Sequence, residues 1–64
     1  MSFHEHLKTE MQKQNMTCGK LHKISGIPES TLRDWVSGKS KPTISKAIQV
    51  SHALGLRLTD LVDD

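Results

Sequence analysis

Arg33 has the most specific chemistry of any side chain in this sequence. Its planar guanidinium carries five N–H donors in a fixed fork, which matches two acceptors on one base edge, such as guanine O6 and N7. Glu29, Ser30 and Asp34 stand within a few residues of it. Glu29 precedes Arg33 by four, the spacing of an ion pair along a helix, and that pair is the plainer reading of the same two residues. Either acid could accept from cytosine N4. Acids are unusual against phosphates, so orienting a neighbouring arginine or discriminating against wrong sites is their commoner use. Ser37-Gly38-Lys39-Ser40-Lys41-Pro42 follows as a basic loop. Loop lysines usually meet phosphates rather than base edges. Lys20, Lys23 and Lys46 could assist from flanking segments, or be ordinary solvated lysines.

Other reactive residues are sparse. Cys18 and His22 lie four apart, and His4-x-His6 stands near the start. Two ligands do not close a metal site, so no metal and no cofactor are expected. Cys18 has no orienting third group that would mark a nucleophile. As the single cysteine it excludes an internal disulfide. No paired carboxylates, triad or phosphate loop supports an enzyme. Trp35, the only tryptophan, falls on one side with Leu32 and Thr31, which favours core packing over stacking on a base.

The elements that position these residues must fit in 64 residues, one domain at most, with residues 1–64 read as a single unit. So short a chain buries only about 60% of its unfolded surface, leaving no room for both a core and a substrate cleft. Net charge is +2 but unevenly spread: residues 17–46 hold six basic and two acidic side chains, and residues 47–64 hold one basic and three acidic. A basic middle beside an acidic end suits a nucleic-acid face on one side of the domain. No apolar run is long enough to span a membrane and no signal-peptide pattern opens the chain, so the expected compartment is the cytoplasm.

Helical periodicity accounts for the whole chain, and nothing alternates with period two. Ser2 and Glu5 match a capping box, and Phe3, Leu7 and Met11 recur every four residues. Thr17 caps a second helix over Cys18 to Ser25, with Leu21 and Ile24 apolar, and Gly26 stops it. Pro28 suits the first turn of a third helix whose inward face is Leu32, Trp35 and Val36. Thr43 caps a fourth, in which Ile44, Ala47, Ile48, Ser51 and Leu54 keep helical spacing until Gly55. Leu58, Leu61 and Val62 suggest a brief fifth helix with a frayed acidic end. Met11 and Met16 read as core filler.

Leu21 to Pro42 is the informative block: two short helices joined by a glycine turn, the second apolar on one side and polar on the other. At this point the sequence resembles the lambda repressor and Cro family of XRE-type helix-turn-helix domains. The resemblance runs from about Thr17 to Leu61 through Leu21, Gly26-Ile27, Ser30-Thr31-Leu32, Gly38-Lys39, Lys41-Pro42, Ile44, Leu54-Gly55 and Leu61. It implies an all-α, five-helix domain with its helix-turn-helix at about residues 17–36. It also implies transcriptional control through residues 28–36 in the major groove. The base-contacting set is then Glu29, Ser30, Arg33 and Asp34. The phosphate-contacting set is Thr17, Cys18, Lys20, Ser37, Lys39 and Lys41. Two positions depart from the family. Cys18 stands where a phosphate-touching glutamine is usual. His22 stands where alanine is usual, and Gly19 and Ser25, three residues to either side, are expected to make room for the ring.

The expectation is therefore a sequence-specific regulator of double-stranded DNA, most plausibly a repressor, on a palindromic operator. It would act as a weak homodimer through its last helix, with Leu58 and Val62 in the contact. The alternative is a protein-interaction module, an antitoxin or anti-repressor, on the same fold.

Overall fold

The computed structural model describes residues 2–62. Four α-helices follow one another: α1 (Phe3–Lys13), α2 (Cys18–Ser25), α3 (Glu29–Ser37) and α4 (Ile44–Ala53). Helix α3 packs against α1 and α2, and α4 packs against α2. There is no strand among the described residues.

Local chemistry sets the helix ends. The Glu5 carboxylate accepts from the Ser2 N–H at 3.1 Å and the Ser2 hydroxyl at 2.9 Å, closing the start of α1. Thr17 Oγ1 accepts from the Lys20 N–H, and Thr43 Oγ1 from the Lys46 N–H, so each threonine satisfies one orphan donor of a first turn. Gly26 and Gly38 take φ of +77° and +82°, and their N–H groups close the last turns of α2 and α3. Pro28 stands at the N-cap rather than inside α3, with its carbonyl accepting from the Leu32 N–H at 3.1 Å.

The fifth helix shrinks to a single 3-10 turn, Leu58–Asp60, resting on α4. Arg57 before it is extended. The Asp60 carboxylate draws the chain round by accepting from the Arg57 N–H at 2.9 Å. Two i→i+3 bonds, Asp60 N–H to Arg57 and Leu61 N–H to Leu58, complete the turn. Leu61 is then fully buried. The acidic end expected at Asp63 and Asp64 lies outside the described residues.

The core draws Leu7 and Met11 from α1, Leu21 from α2, Ile27 from the turn, Leu32 and Trp35 from α3, and Val50 and Leu54 from α4. Each fully buried large apolar side chain contributes about 1.5–3 kcal/mol. Met16 packs on the edge of this cluster. Three apolar assignments need correction. Ile24 is 58% exposed, because Ile27 fills the interior at the turn. Ile44 and Ile48 are also exposed, since the buried arc of α4 is Ala47, Val50 and Ser51, continued by Leu54 at its C-cap. The buried Ser51 hydroxyl donates to the Ile48 carbonyl at 2.8 Å.

Candidate nucleic-acid interface

Helix α3 has one closed side and one open side. Leu32 and Trp35 are buried, and Trp35 meets the Phe3 ring edge-on at 6.3 Å and 81°. The opposite side carries Ser30 and Arg33 exposed, with Glu29 and Asp34 half-buried. All four residues expected to face bases thus belong to one helix, held from behind by the core. Arg33 Nη2 ion-pairs with Glu29 Oε2 across one helical turn.

The residues expected at phosphates fall at the two ends of this helix. At one end, Thr17, Cys18 and Lys20 open α2; Thr17 and Lys20 are exposed and Cys18 is half-buried. Burial pushes the Cys18 thiol above its ordinary pKa, against the pull of Arg33, so the uncharged thiol is favoured there. At the other end, Ser37, Lys39 and Lys41 are exposed on the loop that leaves α3. The Ser37 hydroxyl donates back to the Asp34 carbonyl at 3.1 Å. The Lys39 N–H bonds that carbonyl at 2.9 Å, so the loop starts from a defined turn.

That turn is also pinned from α1. The Ser2 hydroxyl donates to Glu5, and His4 Nδ1 lies 2.9 Å from the same oxygen, so the ring donates to Ser2. The imidazole then lies flat against Gly38, where an added Cβ would stand 3.2–3.3 Å from three ring atoms. Glycine at residue 38 therefore answers both a left-handed backbone and a crowded neighbour.

Two helices joined at Gly26, a second helix open on its polar side and a basic loop beyond it make a bihelical unit. The sequence model of the family described as helix-turn-helix matches residues 7–61. The chain belongs to this family, in its XRE-type branch with lambda repressor and Cro. Neither the curated proteins nor the solved structures contain a match to the chain. Helix-turn-helix domains of this type are DNA-binding regulatory domains and not enzymes. No helix among the described residues is long and apolar enough to cross a membrane. No group of three or more His, Cys, Asp and Glu among them converges as metal ligands would.

The helix-turn-helix turn is braced by Ser25 and His22, in roles other than those expected of them, and by Gln49, which sequence reasoning passed over. Ser25 Oγ donates to the Leu21 carbonyl at 2.7 Å and accepts from the Ile27 N–H at 3.2 Å. Gln49 Nε2 reaches from α4 to the Ser25 carbonyl at 2.6 Å. His22 Nδ1 donates to the Ile27 carbonyl at 2.7 Å. The imidazole lies on the exposed side of the turn instead of between the helices. Gly19 and Ser25 are therefore not needed as room for it. A Cβ on Gly19 would instead meet Glu29 Oε1 at 3.5 Å. A glutamine or histidine on a polar face gives no sign in one sequence of which carbonyl it will reach.

Proposed function

We propose that the protein is a sequence-specific transcriptional repressor that lays residues 28–36 in the major groove of double-stranded DNA. The observation that carries this reading is the two-sidedness of α3. Leu32 and Trp35 anchor it, while Arg33 and Ser30 are exposed on the other side, between the segments that carry Lys20 and Lys39 with Lys41. In this reading Glu29, Ser30, Arg33 and Asp34 face base edges, and Arg33 takes guanine O6 and N7. Thr17, Cys18, Lys20, Ser37, Lys39 and Lys41 follow the phosphates and fix the register. DNA as the partner puts the protein in the cytoplasm.

One such helix reads only a few base pairs, so useful specificity calls for two copies on a palindrome with half-sites about 34 Å apart. Apolar surface for a weak homodimer is present. A groove of about 310 Å³ is lined by Phe3, Pro42, Ile44, Ala47 and Val62 together with Ser2 and Lys41, and Ile44 is 70% exposed. In this reading Val62 contributes to the contact from that groove. The half-buried Leu58 on the 3-10 turn is its expected companion.

The exposed Ile24, Ile44 and Ile48 also favour a second reading, a protein-interaction module such as an antitoxin or anti-repressor. Selection of bound sites from random duplex, followed by affinity at several salt concentrations, separates the two. A DNA-binding protein enriches a palindrome, and its log affinity falls by about 0.9 per phosphate neutralised for each unit of log salt. Absence of enrichment together with a flat salt response assigns the fold to protein binding. Sedimentation on the selected site tests the dimer: one protein per saturated palindrome excludes it.

A further inference from the structure

The Glu29 carboxylate is held against a partner that a nucleic-acid phosphate would also seek, and it lies beside the start of α2. Oε2 holds Arg33. Oε1 lies over the first turn of α2, close enough to Gly19 that an added Cβ there would stand 3.5 Å away. The first-turn N–H groups of a helix attract anions, as a guanidinium does. Glu29 therefore sets its negative charge against Arg33 and beside the start of α2, at the point where α2 and α3 meet. Arg33 remains exposed along most of its side chain (68%), so a change of partner needs no change of fold.

This arrangement acts differently on different duplexes. Any duplex offers phosphates, and the carboxylate repels a phosphate that approaches Arg33 or the start of α2. A G·C pair offers more: two acceptors on guanine for Arg33 and an amino donor on cytosine for the carboxylate. There both members of the ion pair are satisfied when they separate. An A·T pair presents acceptors and an amino donor in other positions and leaves one member unmatched. We propose that Glu29 sets the specificity of the interface, holding Arg33 away from plain phosphates and yielding it to a G·C pair. This inference rests on the DNA-binding reading above and adds a role for the acid that it does not contain.

The test compares wild type, Glu29→Gln, Arg33→Ala and the double variant. Each is measured on a selected site and on a scrambled duplex across salt concentrations, with circular dichroism melting as the fold control. Glu29→Gln keeps the shape and removes the charge. It is expected to bind the scrambled duplex several-fold more tightly, with a salt slope steeper by about one phosphate contact. Its preference for the selected site should fall by roughly fivefold or more, the least that one well-read base pair supplies. In the Arg33→Ala background the same change should alter that preference much less, because only the cytosine contact of Glu29 remains to be weakened. Equal affinities for Glu29→Gln and wild type on both duplexes, or equal losses on both, overturn the proposal. So does a full Glu29→Gln effect without Arg33. A wild-type protein that binds no duplex in a salt-dependent way overturns the DNA-binding reading, and this inference with it.

Discussion

Trp35→Ala should leave the domain largely unfolded at 25 °C, a temperature at which folded domains are usually near their most stable. Trp35 is 3% exposed and sits in the core with Leu32 on the inner side of α3, its ring meeting the edge of Phe3 on α1. Truncating a buried tryptophan costs about 3–5 kcal/mol, part of it for the cavity that remains. The T-shaped pair contributes about 0.5–1.5 kcal/mol beyond area burial, which places this site in the upper half of that range. At about 0.05–0.15 kcal/mol per residue, a chain of this length has roughly 3–10 kcal/mol in total. A single core in a chain this short rarely supplies more than about 3–5 kcal/mol, the low end of that span, so the substitution removes most or all of the stability. Far-UV circular dichroism, followed through thermal and urea melts, is the suitable assay because the fluorophore is lost with the residue. Trp35→Phe, which keeps a ring against Phe3, should retain a cooperative melt at lower temperature. A Trp35→Ala melt within about 5 °C of wild type would correspond to a loss near 1 kcal/mol. That result would refute the anchoring of α3 through Trp35 and return the ring to consideration as a stacking surface.

Arg33→Ala should cost about 1–3 kcal/mol on the selected operator and relax preference at one base pair. Lys39→Ala and Lys41→Ala should instead weaken every duplex alike and flatten the salt slope by about one unit each. Binding titrations on operator and scrambled duplex read all three, and equal losses on both duplexes for Arg33→Ala would remove its base-reading role. Gly38→Ala should lower Tm by roughly 5–15 °C, because a left-handed alanine costs about 1–2 kcal/mol and its Cβ also presses on the His4 ring. His4→Ala in that background should recover only the part due to crowding. The Ser2 backbone N–H, and after it the Ser2 hydroxyl, hold the Glu5 carboxyl below its ordinary pKa. Its folded value is the lower one, so its contribution to stability is present above the unfolded value and fades as pH falls through the folded value. Glu5→Gln should accordingly flatten the acid side of the stability-pH curve below the usual carboxylate range while leaving its shape near neutrality alone.

Helix count and order were legible along most of the chain because caps and stops are local chemistry. Thr17, Gly26, Gly38 and Thr43 act within a few residues of themselves, so their types alone mark the boundaries of α2, α3 and α4. The polar side of α3 was legible too, since Leu32 and Trp35 fall on one side of a helix whatever it packs against. The end of the chain was not. Leu58, Leu61 and Val62 have helical spacing, but the Asp60 carboxylate closes on the Arg57 N–H and confines the segment to one 3-10 turn. Which apolar residues are buried is likewise a property of packing. Ile24, Ile44 and Ile48 are as apolar as their neighbours, and only the placement of α2 and α4 against the other helices leaves them outside. Glu29 shows the division most clearly. Its spacing from Arg33 determines an ion pair along one helix. Its place beside Gly19 exists because Gly26 turns α3 back across the start of α2, bringing near each other residues ten apart in the chain. Periodicity describes one helix at a time, and a charge shared between two helices is decided only where they cross.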